Sequence, residues 1–370
     1  MNSNRILLVI DCMAVGGTQR QIVELLKGLQ HNGRFAARLA VIDPGGELEA
    51  VAAQAAAGLV PLGRKARFDC TPALRLIWRA RRAQTRLIHV FGWMSGLAGL
   101  LAARCLRIPI IDGTIRQVPL ALGRRDRIAR WCALHSDWIV ANSRAGLEAY
   151  GLSGHPRAQV IANGIDLMRF DHVVPAAGDA PTVCMVANFR ALKDHASVIA
   201  ALPYIRAAVP GTQLVLVGKD LGTLAAHRRL ADELRVSEAV RFVTDTVCPE
   251  PFIAGSQVCV LASPSESFSN AVLEYMALGK PVVATATCGE NAHLISEGES
   301  GFLVPTNSPE AVAARVIELL RDPQRARRMG EAGQRQIRVL AAPRMVAEYE
   351  ALYERLLASS SSPTPAGAQR

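Results

Sequence analysis

Two glutamates eight residues apart, Glu266 and Glu274, frame the stretch of this chain best suited to chemistry. An apolar run, Val258–Ala262, leads into the serine-rich segment Ser263–Asn270, and a helix-like segment, Ala271–Gly279, follows. That spacing puts Glu266 in the loop before the helix and Glu274 a turn or so inside it. At such a helix start the N–H groups of residues 267–270 lack intrahelical partners and favour an anion. A carboxylate oxygen can accept two hydrogen bonds, which suits the hydroxyls of a sugar or a ribose. Without further context, Glu274 also fits an exposed position on an apolar helix, and Glu266 a helix cap.

Two other turns follow strand-like runs. In Val186–His195 two permanent cations, Arg190 and Lys193, lie three residues apart at a helix start. Such a pair neutralises a diphosphate leaving group; a solvent-facing turn with ordinary charges is the alternative. In Asp11–Thr18 the paired Gly16 and Gly17 let backbone approach an anionic ligand closely, although a tight structural turn accounts for them equally. The dinucleotide pattern G-x-G-x-x-G is missing there. His89, at the end of a strand-like run, is read either as catalytic or as a histidine satisfied by its neighbours. No D-x-D pair occurs in the chain. The expected site therefore takes no metal and no cofactor, and charge on a departing diphosphate falls to Arg190, Lys193 and helix-end dipoles.

The elements that must position these residues alternate along the chain. Strand-like runs at Arg5–Ile10, Ala37–Ile42, Leu87–Val90, Ile108–Ile111, Trp138–Asn142 and Val160–Ala162 are separated by helical stretches near 18–31, 73–85, 96–107, 125–135 and 144–150. The plan repeats with runs at Thr182–Ala187, Gln213–Val217, Val240–Val243, Val258–Ala262, Pro281–Ala284 and Phe302–Val304. Helices are expected over 193–209, 224–235, 247–255, 270–279, 309–321 and 324–339. Alternation of this kind predicts an α/β fold of two Rossmann-like, doubly wound parallel sheets facing across a cleft. The expected divisions are a first domain over 1–172, a second over 181–342, a crossover helix over 343–358 and a disordered tail over 359–370. The Pro-, Gly- and Ala-rich segment Phe170–Pro181 is the expected linker.

With 370 residues, half of them hydrophobic, the chain is long enough for two cores. Its net charge of +10 is one-sided: residues 1–175 carry 23 Lys and Arg against 12 Asp and Glu, residues 176–370 carry 19 against 20. A basic first half suits an anionic membrane face or a phosphorylated acceptor, and a merely solvated Arg-rich surface accounts for it equally. No nucleic-acid-binding motif accompanies the charge, so no nucleic-acid partner is expected. Eight scattered cysteines lack zinc spacing and are read as buried reduced thiols. The apolar stretch Phe91–Ile111 is interrupted by Arg104 and Arg107 and reads as a buried helix, not a bilayer span. The expected location is the cytoplasm, with peripheral contact to the inner face of the plasma membrane.

The segment ESFSNAVLEYMALGKPVVAT resembles the E-x7-E block of retaining GT-B glycosyltransferases of the GT4-type family. GGTQRQIVELLKGL, DWIVANS, VIANGID, FRALKDH, QLVLVG and GESGFLVP are similar to that family's stretches in order and spacing, up to about residue 358. The resemblance implies a GT-B fold whose last helix crosses back to the first domain. It implies transfer of a sugar, with retention of anomeric configuration, from a nucleotide-diphosphate sugar to a sugar or lipid-linked acceptor of surface-polysaccharide assembly. By the same resemblance Glu266 contacts the transferred sugar, Glu274 binds the donor ribose, and Arg190 and Lys193 hold the diphosphate. Gly16 and Gly17 close over the phosphates, while Phe268, Ser269 and Asn270 complete the donor pocket. Departures are Arg116 at about the place where many relatives carry a histidine, within Asp112–Gln117, and Ser267 in place of the commoner glycine. The departure within Asp112–Gln117 keeps in view a catalytically silent nucleotide- or partner-binding protein. A nucleotide-sugar epimerase, another GT-B enzyme that acts without an acceptor, is a second alternative. An NAD-dependent oxidoreductase is disfavoured by the missing glycine fingerprint.

Overall fold

The computed structural model describes residues 4–66, 69–286, 289 and 291–361. The chain divides into two units, one formed by residues 1–116, 121–164 and 342–370, the other by 117–120 and 165–341. The division at Gly164 and Ile165 lies ahead of the Pro- and Ala-rich segment expected to be the linker. Part of that segment is instead fixed within the second unit, where the Ala176 N–H donates to the Pro251 carbonyl at 2.8 Å.

The first unit contains β1 (Asn4–Cys12), α1 (Gly17–Asn32), β2 (Phe35–Asp43), α2 (Glu49–Ala55), β3 (Leu59–Pro61), α3 (Thr71–Arg82) and β4 (Leu87–Phe91). It continues through α4 (Trp93–Leu106), β5 (Ile110–Ile115), α5 (Arg124–His135), β6 (Trp138–Ala141), α6 (Arg144–Ala149) and β7 (Ala158–Val160). Its seven strands are parallel in the order β3-β2-β1-β4-β5-β6-β7. A parallel sheet is covered on both faces, so its strands are continuous apolar runs. In β1 the alternation is plain. Ile6, Leu8 and Ile10 enter the layer that holds α1, while Leu7 and Val9 enter the layer that holds α3 and α4.

The second unit runs β8 (Thr182–Val186), α7 (His195–Ala208), β9 (Gln213–Val217), α8 (Leu224–Glu233), β10 (Val240–Val243), α9 (Glu250–Ala254) and β11 (Val258–Leu261). It closes with α10 (Asn270–Ala277), β12 (Val282–Thr285), α11 (Asn291–Leu294), β13 (Gly301–Val304), α12 (Pro309–Arg321) and α13 (Pro323–Gln336). Six parallel strands lie in the order β10-β9-β8-β11-β12-β13. In both sheets the order reverses beside the first strand, at β1/β4 and at β8/β11, which is the doubly wound arrangement.

The last helix, α14 (Ala342–Ser361), belongs to the first unit, as the resemblance implied. It spans a little more than the expected 343–358; of the tail expected to be disordered, residues 362–370 lie outside the described residues. Its apolar stripe, Met345, Tyr349, Leu352, Tyr353 and Leu357, is buried in the core shared with Ile22, Leu25 and Leu29 of α1. The two helices approach so closely that a Cβ on Gly28 would lie 2.3 Å from a methyl of Val346.

Three short elements escape the sequence pattern. β3 and α2 lie in an alanine-rich stretch with no apolar period, and α11 has only four residues. The expected strand Ile108–Ile111 also shifts, to Ile110–Ile115, taking in the polar Asp112 and Thr114 with a change of register between Asp112 and Ile115. Of the thiols expected to be buried, Cys70, Cys105 and Cys248 are exposed, and Cys288 lies outside the described residues. No helix among the described residues is long and apolar enough to cross a membrane.

The α1–α14 contact yields a compensation test. Gly28→Ala overpacks the seam and should cost about 1–3 kcal/mol in denaturant unfolding of the first unit. Adding Val346→Ala should recover more than the two single changes would predict if summed, because the small residues exchange places.

Candidate donor site and its supports

In the second unit, Glu266 and Lys193 form an ion pair. Lys193 ends a 3₁₀ turn, Ala191–Lys193, after β8; Glu266 sits in the loop between β11 and α10. Both are only partly exposed, so the pair is held where water screens it weakly. The turn that carries Lys193 is built rigidly. Asp194 adopts φ 47°, and its carboxylate caps α7 by accepting from the Ser197 N–H at 3.2 Å and the Ser197 hydroxyl at 2.6 Å. Below it, the buried His195 stacks on Phe189 and its Nε2 lies 3.1 Å from the Ala187 carbonyl oxygen. Burial pushes His195 down to about 3, so the ring stays neutral. Phe189 itself pairs by backbone with Lys219 and Leu221. Arg190, on the same turn, is exposed.

Glu266 is fixed from the other side by a residue the sequence reading passed over. Gly289 has φ 138°, and a Cβ there would fall 1.7 Å from the Glu266 carbonyl oxygen. Only glycine lets that backbone lie against Glu266. Nearby, the Ser265 hydroxyl donates to the Val118 carbonyl at 2.5 Å. Ser269 caps α10, its hydroxyl oxygen accepting from the Val272 N–H at 3.3 Å. That cap takes the Val272 N–H, which is not one of the N–H groups of residues 267–270 expected to face an anion. Phe268 and Ser269 are buried and Asn270 is half-buried.

Glu274 faces the interior, 6% exposed, on the second turn of α10. It has its own cation: Arg169 Nη2 lies 2.8 Å from its Oε1, and Arg169 Nε lies 2.8 Å from Oε1 of Glu250, the first residue of α9. One guanidinium thus neutralises two buried carboxylates. α10 is held to the sheet by the fully buried Tyr275, whose hydroxyl accepts from the Val186 N–H at 2.6 Å and donates to the Val260 carbonyl at 3.3 Å. The structure brings Lys193 to Glu266 and gives Glu274 a separate partner, and neither Arg169 nor Glu250 was signalled by spacing.

The remaining named residues lie in the first unit. Gly16 is in extended backbone at the start of α1, directly before Gly17, and the Gln19 amide reaches back to the Cys12 carbonyl at 3.2 Å. His89 is wholly buried. Its Nδ1 lies 2.8 Å from the Tyr353 hydroxyl, its ring lies 4.1 Å from that of Phe91, and burial holds it neutral, well below its ordinary range. These contacts tie β4 to α14, while the His89 Nε2 is buried with no hydrogen-bond partner among the described residues. Arg116 donates to the Gly113 carbonyl at 3.2 Å, Asn163 Oδ1 at 3.1 Å and the Tyr349 hydroxyl at 2.8 Å. It braces three segments of the first unit. Beside it, Asp112 is fully buried on β5, with the Thr114 N–H donating to its Oδ1 at 2.9 Å, and burial pushes it from 3.8 up to about 7. Asp11 is raised too, mainly by burial, although the Ser95 N–H donates to it at 2.7 Å. Among the described residues no cluster of three or more His, Cys, Asp or Glu is placed to hold a metal ion.

Two stability tests follow from these buried charges. Arg169→Met should lower unfolding free energy by about 3 kcal/mol, because it strands two carboxylates, and Arg169→Lys should recover part of the loss. Asp112 holds its proton more tightly folded than unfolded, so its contribution is full below about pH 4 and is lost as pH rises through about 7. Asp112→Asn should therefore match wild type near pH 4 and exceed it by up to roughly 4 kcal/mol near pH 8 in urea titrations.

Comparison with known proteins identifies the family and the fold. Residues 15–169 match the family described as Glycosyltransferase Family 4, and residues 169–336 match Glycosyl transferases group 1. The D-inositol 3-phosphate glycosyltransferase of Segniliparus rotundus is 29% identical over 274 residues, 67% of this chain and 61% of that protein. The match therefore spans less than two thirds of that relative's length. The lipopolysaccharide core biosynthesis glycosyltransferase LpsE of Rhizobium meliloti is 31% identical over 208 residues, 54% of this chain and 58% of that protein. In three dimensions the chain is similar to HepE of Anabaena, solved in complex with UDP and glucose, with TM-score 0.82 and 18% identity over 94% of this chain and 99% of the other. The fold is thus GT-B, and the chain belongs to the GT4-type, group 1 glycosyltransferase family.

Proposed function

We propose that this protein transfers a sugar from a nucleoside diphosphate sugar to an acceptor hydroxyl, with retention of anomeric configuration and without a metal ion. The observation that carries the reading is the Lys193–Glu266 pair beside the exposed Arg190, on loops that follow β8 and β11. The pairing with Lys193 neutralises Glu266. A diphosphate competes for Lys193 and, with Arg190, draws the cation away. Glu266 is then free to accept hydrogen bonds from the sugar hydroxyls. Glu274, oriented by Arg169, accepts from the ribose.

In the proposed step the bond between the anomeric carbon and the diphosphate oxygen breaks, and the acceptor oxygen bonds to the same face of the sugar. The acceptor proton passes to the leaving phosphate oxygen. Charge gathers on the diphosphate, where Arg190 and Lys193 stabilise it more strongly than in the bound substrate. A lipid-linked or other surface-polysaccharide precursor is the proposed acceptor class, supported by the similarity to LpsE, a lipopolysaccharide core biosynthesis glycosyltransferase. The UDP and glucose bound to HepE make a uridine donor the first to try.

A thermal-shift panel of UDP, GDP, ADP, CDP, dTDP and NAD checks the donor site. One nucleoside diphosphate should raise the midpoint selectively, and Glu274→Gln should weaken that rise. A response to NAD alone, or to none, would rule the reading out. With the matching donor, Lys193→Ala should slow turnover roughly 10²–10³-fold. Turnover should persist in EDTA, and NMR of the product should show the donor's anomeric configuration retained.

A further inference from the structure

We propose that the outer face of α3, α4 and α5 docks this protein onto an anionic lipid bilayer. The three helices lie side by side on one face of the first unit's sheet, α4 packed between the other two. Their inner residues, such as Leu76, Ala80, Ala102 and Cys132, fill the core, so the outward ones are not needed there.

What faces outward is apolar and cationic together. Leu74 and Trp78 of α3, Leu97 and Leu101 of α4, and Trp131 of α5 are each at least 42% exposed. The same three helices hold nine arginines, no lysine and one acidic residue, Asp126. Asp126 is turned to local work, accepting from the Gly123 N–H at 2.9 Å and the Tyr150 hydroxyl at 3.0 Å. Trp78 has the guanidinium carbons of Arg79 and Arg82 at 5.0 Å and 5.4 Å from its ring centre. Arg104 crosses from α4 to the His135 carbonyl at the end of α5, at 2.7 Å, and joins those helices.

An anionic bilayer matches each part of this face. Tryptophan rings settle at the headgroup level, leucines enter the acyl boundary, and arginines meet the lipid phosphates bidentately. A nucleic acid would use the arginines and the rings but leave the leucines in water. An acidic protein would meet the arginines but would have to bring apolar side chains of its own to cover the exposed leucines. The face also explains the charge asymmetry of the chain, since the excess of cations lies wholly in the first half. This inference rests on the lipid-linked acceptor of the proposed function for its purpose but not for its test, which needs no turnover.

The test is co-sedimentation of the full chain with vesicles of phosphatidylcholine alone and of phosphatidylcholine with about 30 mol% phosphatidylglycerol, at about 50 mM and about 500 mM NaCl. Binding is expected only to the anionic vesicles, with release at the higher salt and a blue shift of tryptophan emission on binding. An arginine at an anionic surface contributes about fivefold in partitioning, so Arg79→Glu with Arg82→Glu should cost at least roughly 25-fold. Trp78→Ala with Trp131→Ala should cost about tenfold and abolish the blue shift. Both double variants change exposed side chains, and unaltered thermal midpoints would verify their folding. No binding to anionic vesicles at low salt would overturn the proposal. So would equal binding to neutral vesicles, binding that neither double variant weakens, or preferred retention on single-stranded DNA.

Discussion

Burying a carboxylate is costly unless a cation or a proton accompanies it, and the interior of this protein is arranged around that constraint. Glu266 has Lys193, and Glu250 and Glu274 share Arg169. Burial pushes Asp112 up to about 7, so that it takes a proton far more readily than an exposed carboxylate. The three solutions differ in how readily they are undone. A lysine on a short turn can be drawn off by a stronger anion, whereas a guanidinium bridging two carboxylates is locked by geometry. The proposed donor site therefore combines one exchangeable pair with one fixed pair.

The fixed pair also connects elements far apart in the chain. Arg169 lies in the 3₁₀ turn Leu167–Phe170, ahead of β8, yet it meets residues at the starts of α9 and within α10. Tyr275 joins the same helix to β8 and β11. Packing and charge thus converge on α10, whose eight residues include Glu274. In the first unit Tyr349 and Tyr353 play the corresponding part, meeting Arg116 and His89 from α14. Buried hydroxyls that find both a donor and an acceptor rigidify whatever they touch.

Most of the fold was legible in the sequence because parallel strands are buried on both faces and so read as unbroken apolar runs. The stripe of α14 was legible for a different reason, because a helix that buries one face repeats its apolar residues at helical spacing. β3 and α2 were not, because alanine carries too weak a signal to show a period. β5 was misplaced because a buried aspartate reads as a loop residue until its affinity for a proton and its Thr114 donor are known. At the candidate site, Glu266, Glu274, Arg190 and Lys193 stood out by type and spacing. Arg169, Glu250 and Gly289 did not. The first two are paired with α10 only through the fold, and Gly289 matters only because backbone passes over Glu266.

The return of α14 to the first unit sets an order of assembly. The apolar surface of α1 that carries Ile22, Leu25 and Leu29, and the packing around His89, are completed only by α14. A ribosome releases that helix only after the whole second unit. The first-made half of the chain must therefore wait, with an apolar face uncovered, while the entire second unit is synthesised and free to fold. The unit encoded first is completed only after the second, and through that interval the apolar face of α1 lacks the native contacts that will cover it.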